Sequence, residues 1–156
     1  NTQNIHVMAG FAEGGAAENC FIENLRYATS QQQHVTFLIE PLNHYDAPGY
    51  FLSSTDQARR IIEAVAAPNL KLMFDCYHIQ ILEGDLTRRL QANIDIIGHI
   101  QFAGVPSRGR PDRGEINYQH IFEQIADMGY TEPLGAEYKP ENGDTDGSLG
   151  WKNRLG

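Results

Sequence analysis

Along the chain, short apolar runs alternate with longer stretches whose apolar residues recur at intervals of three and four. The runs at 5–9, 35–39, 70–74, 99–103 and 134–138 read as strands, and the periodic stretches at about 16–31, 54–66, 85–96 and 117–128 read as helices. The helix ends carry matching chemistry. Ser54 or Thr55 can cap the second helix, whose Ala58, Ile61, Ile62 and Val65 form one apolar face, and Pro68 stops it. Asp85 can cap the third. Asn117 can cap the fourth, where Ile121, Phe122, Ile125 and Met128 share a face and Gly129 suits the left-handed position past the end.

Strict alternation of strand and helix predicts an α/β fold with a parallel sheet, either doubly wound or part of a (β/α)8 barrel. The turn Gly10-Phe-Ala-Glu-Gly-Gly15 is not a GxGxxG, so Gly14 and Gly15 read as a helix approach rather than a phosphate cradle. A barrel needs eight βα units and about 250 residues, so five strands predict a partial barrel, with roughly 100 residues expected ahead of residue 1. No linker, repeat or low-complexity tract divides the chain, and 1–156 reads as a single domain ending in a polar loop at 141–147 before Trp151.

Composition narrows the function classes. With 156 residues, 41% of them hydrophobic, the chain can bury a sizeable core and is too apolar to be a disordered tail. A net charge of −8 without a Lys/Arg block disfavours nucleic acid as a partner. No apolar run approaches the roughly 20 residues of a membrane helix, and the first residues lack a signal-peptide pattern. The expectation is a cytoplasmic protein in which Cys20 and Cys76, too few for a disulfide framework, are reduced thiols.

Candidate chemistry lies where the apolar runs stop. Glu40, Asp75, Gln101 and Glu137 arrive at the carboxyl ends of four consecutive predicted strands, the end at which parallel α/β folds place their ligands. Closing a barrel would bring three carboxylates together, and their repulsion calls for a cation. Two Glu, one Asp and an amide oxygen are hard ligands suited to Mg²⁺ or Mn²⁺. His78 could orient a substrate hydroxyl. Arg108, with its planar fork, is the candidate partner for a substrate carboxylate. Asn43, His44, Glu83 and Glu115 rank lower as loop polarity, His99 could fill the interior or support a ligand, and His6, Met8 and Tyr138 read as packing.

Several motifs in order are recognisable. Glu40-Pro-Leu-Asn43 with Pro48-Gly-Tyr-Phe-Leu52, Phe74-Asp-Cys-Tyr-His78 with Glu83-Gly-Asp-Leu86, Gly98-His-Ile-Gln101, Gly114-Glu-Ile-Asn-Tyr118 and Glu137-Tyr-Lys-Pro140 together resemble the hydroxypyruvate isomerase family, within the xylose-isomerase-like TIM barrels. The resemblance implies that the chain corresponds to the barrel from its fourth strand to its carboxyl terminus. It further implies metal ligation by Glu40, Asp75, Gln101 and Glu137, with Glu40 and Glu137 as the acid/base pair and His78 near a substrate oxygen. One departure is Arg110, where the family more often has an acid or amide; Arg108 stands where the family carries an arginine.

The activity so implied is metal-assisted interconversion of hydroxypyruvate and 2-hydroxy-3-oxopropanoate through an enediolate. The nearest alternatives are a 2-oxotetronate isomerase or a ketose epimerase, and, in another class, a noncatalytic metal- or partner-binding fragment. A phosphodiester hydrolase is disfavoured by the acidic charge and by the lack of several His ligands. The expected partner is a small oxo-acid, with a homodimer as the expected assembly.

Overall fold

The computed structural model describes residues 2–155. Its sheet has five strands, β1 (Asn4–His6), β2 (Thr36–Ile39), β3 (Leu70–Asp75), β4 (Ile97–Phe102) and β5 (Leu134–Ala136), paired in chain order and all parallel. A doubly wound sheet reverses its strand order at a switch point. The sequential order here is that of a barrel wall, and the sheet is a curled part of one.

The connecting helices are α1 (Gly14–Gln31), α2 (Thr55–Val65), α3 (Cys76–Leu82), α4 (Leu86–Asn93) and α5 (Tyr118–Asp127), followed by the short α6 (Thr145–Ser148) and α7 (Lys152–Leu155). Alternation along the strands sends Phe37, Ile39, Leu70, Leu72, Phe74, Ile100 and Phe102 to the helical layer, where they pack with Leu25, Ile61, Leu90 and Ile121. The opposite face is left to His6, Glu40, Met73, Gln101 and Glu137, which line a cleft. One face is therefore core and the other chemistry.

The expected caps are present at α2 and α5. Ser54 Oγ accepts the Gln57 N–H at 3.1 Å, and Asn117 Oδ1 accepts the His120 N–H at 3.3 Å. Ala66, in the left-handed region at φ 56°, ends α2 ahead of Pro68. Asp85 does not cap α4. Its backbone is left-handed at φ 49°, and its carboxylate pairs with Arg88 at 3.1 Å.

Other boundaries differ from the sequence pattern for identifiable reasons. β1 ends at His6 rather than at 9, because the Ala9 N–H leaves the ladder and donates to the Tyr50 hydroxyl at 2.7 Å. β4 begins at Ile97 and contains a bulge, pairing Leu72 with Ile97 and then Met73 with His99. At Gly98, within that bulge, a Cβ would lie 2.6 Å from Lys71 Cβ. α3, hidden in the sequence behind the β3 apolar run, starts directly from Asp75. The expected loop at 141–147 contains a 3-10 turn (Glu141–Gly143) and the start of α6.

Candidate active site

The site is built from strand ends. Asp75 closes β3, Gln101 lies on β4, and Glu40 and Glu137 directly follow β2 and β5. Glu137 extends the β5 ladder by one residue, its N–H donating to Phe102 O at 3.1 Å. Glu40, Gln101, Glu137, His78 and Arg108 line one cleft of about 260 Å³. A larger cleft, about 500 Å³, lies at the opposite end of the sheet between α1 and residues 65–69, and its lining holds no carboxylate.

Asp75 shows how local structure prepares one atom for the cleft. Its Oδ1 accepts the Tyr77 N–H at 2.8 Å and so caps α3, which turns Oδ2 toward the site. That oxygen is buried and lacks a hydrogen bond, as do Glu40 Oε1 and Gln101 Oε1. Three unsatisfied oxygens at adjacent strand ends are costly in an isolated chain.

The charges are equally unbalanced. Burial, reinforced by the neighbouring Asp75 and Glu137, pushes the Glu40 carboxyl up to about 9, although Arg108 opposes the shift. Burial likewise raises Asp75 to about 7, against the lowering effect of the Tyr77 N–H and Arg108. A divalent cation would remove both problems by ligating the orphaned oxygens and favouring the ionised carboxyls. Glu40, Asp75 and His78 each offer a donor atom within 4.8 Å of one another, a group able to hold a metal ion. The oxygens of Glu40, Asp75, Gln101 and Glu137 fit a hard ion.

Arg108 is the cation the protein itself supplies. Its guanidinium lies 2.9 Å from Glu137 Oε2, 3.5 Å from Asp46 Oδ2 and 3.6 Å from Asp75 Oδ2, and it stands 5.2 Å from the centre of the Tyr77 ring. The residue occupies the left-handed region at φ 54°, where its carbonyl accepts the Lys139 N–H at 2.7 Å. The β4–β5 loop thus aims its one strained non-glycine residue into the cleft.

His78, on α3, is buried, and its pKa falls to about 4 through burial and the nearby Arg108. Its Nδ1 accepts the backbone N–H of Asn43 at 3.0 Å, and Nε2 lies 3.9 Å from Asp75 Oδ2. Asn43 is fully buried against it, a position that sequence reading ranks as ordinary loop polarity. Asp46, which the sequence pattern does not single out, accepts from Asn43 Nδ2 at 3.4 Å and pairs with Arg108. In the sequence Asn43 closes the Glu40-Pro-Leu-Asn43 motif, whereas Asp46 is marked only by its nearness to Glu40 in the chain.

The remaining candidates lie elsewhere or act otherwise. Glu83 ties α3 to α2, accepting from the Thr55 N–H and hydroxyl at 3.1 and 3.2 Å. Glu115 accepts from Gln80, and His44 stacks on the exposed Tyr45. His99 reaches across to Gly135, where a Cβ would meet its Nε2 at 2.8 Å. Tyr138 packs on Trp151 and hydrogen-bonds Ser148, as a packing residue should. Met8 is largely exposed at the cleft rim. His6 does more than fill space, since its Nε2 lies 3.4 Å from Glu40 Oε2. Arg110 turns away from the carboxylates and pairs with Asp112 at 2.8 Å. Cys20 and Cys76 are free thiols.

Comparison with known proteins places this geometry in context. A family model described as a xylose isomerase-like TIM barrel matches residues 1–155. A 2-oxo-tetronate isomerase of Cupriavidus necator is 48% identical over 153 residues, covering 94% of this chain and 58% of that protein. The hydroxypyruvate isomerase of Escherichia coli is 44% identical over 132 residues, covering 83% of this chain and 51% of its own length. A solved structure from Brucella melitensis, described as an AP endonuclease of family 2, superposes with a TM-score of 0.92 at 39% identity, covering 97% of this chain and 60% of its own. The chain thus spans between half and three fifths of the length of these relatives.

Proposed function

The chain belongs to the xylose isomerase-like TIM-barrel family, and from that premise we propose that it is an isomerase of a short hydroxy-oxo acid, hydroxypyruvate first, acting by proton transfer between adjacent carbons. The observation that carries this reading is the set of unpartnered buried oxygens on Glu40, Asp75 and Gln101 at adjacent strand ends, with Glu40 and Gln101 lining one cleft together with Glu137. Glu40, Asp75, Gln101 and Glu137 would hold a divalent ion, Mg²⁺ or Mn²⁺. Such an ion would supply positive charge against the negative charge that develops on the substrate during proton transfer.

The protein's own groups account for the rest. One of Glu40 and Glu137 takes the proton from the hydroxyl-bearing carbon, and the other returns a proton to the former carbonyl carbon, giving the isomeric hydroxy-aldehyde acid. The hydroxyl proton moves between the two oxygens, beside His78. Arg108 trades part of its pairing with the protein carboxylates for the substrate carboxylate, which its planar fork fits.

A second reading, a 2-oxo-tetronate isomerase, is favoured by the 48% identity to the Cupriavidus protein of that name. It keeps the same residues and chemistry with a longer substrate. Incubation of the chain with Mn²⁺ and hydroxypyruvate in deuterated water tests the proposal. Isomer formation with one carbon-bound deuterium is expected, and a substrate panel ranks the two acids. Neither conversion nor solvent exchange with any oxo-acid would reject the isomerase reading.

A further inference from the structure

Resting on the isomerase reading, we propose that Asn43 is a positioning residue that fixes His78 as its Nε2–H tautomer, making His78 a hydrogen-bond donor toward the substrate oxygen and keeping it out of the metal's ligand set.

The geometry runs in one direction. Asn43 Oδ1 accepts two backbone N–H groups, from Tyr45 and Asp46, each at 3.0 Å. An oxygen so occupied fixes which end of the amide is which, leaving the NH₂ toward His78, with Nδ2 2.8 Å from Nδ1. The backbone N–H of the same residue points at the same nitrogen, at 3.0 Å. Two donors converge on Nδ1, so Nδ1 presents a lone pair and cannot carry a proton. The single proton of the neutral ring then sits on Nε2.

That placement decides between two uses of His78. Glu40, Asp75 and His78 are close enough to share an ion. Ligation by Nε2 needs a lone pair there, and the Asn43 contacts have placed a proton on it. The same nitrogen is buried, lacks a hydrogen bond, and lies 3.9 Å from Asp75 Oδ2. A fixed donor beside the ion's ligands is what a substrate oxygen gaining negative charge requires. Because Asn43 belongs to the loop after β2 and His78 to α3, two strand ends are locked in register by this contact.

The test begins on the unsubstituted chain. A long-range ¹H–¹⁵N spectrum of ¹⁵N-histidine-labelled protein, assigned with His78→Gln, should show a pyridine-type Nδ1 and a protonated pyrrole-type Nε2 for His78. The opposite tautomer or an imidazolium at neutral pH overturns the proposal. Mn²⁺ titration followed by electron paramagnetic resonance should give unchanged affinity in His78→Gln, whereas Asp75→Asn weakens it by about 10-fold or more. Loss of Mn²⁺ affinity in His78→Gln to the extent seen in Asp75→Asn makes His78 a ligand and overturns the proposal.

Asn43→Asp replaces a donor with an acceptor that draws the proton to Nδ1. It should lose the Nε2–H signal and lower kcat by about 10- to 100-fold with little change in KM or Mn²⁺ affinity. Retention of both signal and kcat in that variant counts against Asn43. If the unsubstituted chain shows the expected spectrum and Mn²⁺ affinities yet turns over no oxo-acid, the tautomer stands and the isomerase reading falls.

Discussion

At the scale of single residues, the site is a contest between charge and burial. Glu137 is the exposed member, about half accessible, so its removal disturbs little packing. Glu137→Gln is expected to lower kcat by about 10²- to 10⁴-fold, the range for a lost acid or base, while leaving the urea midpoint within error. Equal activity in the variant would remove Glu137 from the acid/base pair. Arg108 has a different signature. Arg108→Ala should raise KM for the carboxylate substrate by about 10- to 100-fold, since a charge-assisted bond contributes about 1.5–3 kcal/mol, and unchanged KM would reject the clamp.

At the scale of elements, two contacts hold β4, the strand that carries Gln101, one at each of its ends. The Tyr118 hydroxyl, at the start of α5, donates to Ala103 O at 2.7 Å and accepts the Ala103 N–H at 3.2 Å, fixing the chain just past β4. Tyr118→Phe strips both partners from buried backbone and should destabilise by about 1–3 kcal/mol, measured by urea unfolding. A cost indistinguishable from zero would mean that the end of β4 relaxes to new partners. The second contact is steric. Gly98 lets the bulge of β4 lie against Lys71 and Leu38, and a Cβ there would approach Leu38 Cδ2 to 2.8 Å. Gly98→Ala should therefore cost about 1–3 kcal/mol by overpacking, although glycine replacement in an open strand would stabilise.

At the scale of the whole molecule, the carboxyl cluster ties stability to pH. In the presence of a chelator, Glu40 and Asp75 keep in the folded state protons that the unfolded chain has released, so stability falls as pH rises. The fall starts above the ordinary carboxylate range and runs through about 7 for Asp75 to about 9 for Glu40. His6 and His78, both held below the ordinary imidazole value, act in the opposite sense. His78 opposes the fall from about 4 to 6.5, and neither contributes at higher pH. Urea midpoints in EDTA should therefore decline from pH 6.5 to 9, and saturating Mn²⁺ should abolish the decline by binding the ionised carboxyls. A flat profile in EDTA would show that these groups titrate normally.

The alternation of two hydrophobic periods determined the parallel sheet, the order of the main elements and which strand ends bear acids, because burying one face of each element against another is a local demand written into each segment. Glu40, Asp75, Gln101 and Glu137 were legible for the same reason: each ends an apolar run. Asn43, Asp46 and His6 were not, since their roles depend on which loop crosses which strand end. The Asn43 amide at His78, the His6 ring at Glu40 and the Arg108 fork among three carboxylates each join residues more than 25 positions apart. The direction of each Asp75 oxygen was equally hidden, because the strand gives way to α3 without a break and the cap claims one oxygen. Sequence thus set the donor types and their strand positions, whereas tertiary structure alone decided which atoms were satisfied and which were left facing the cleft.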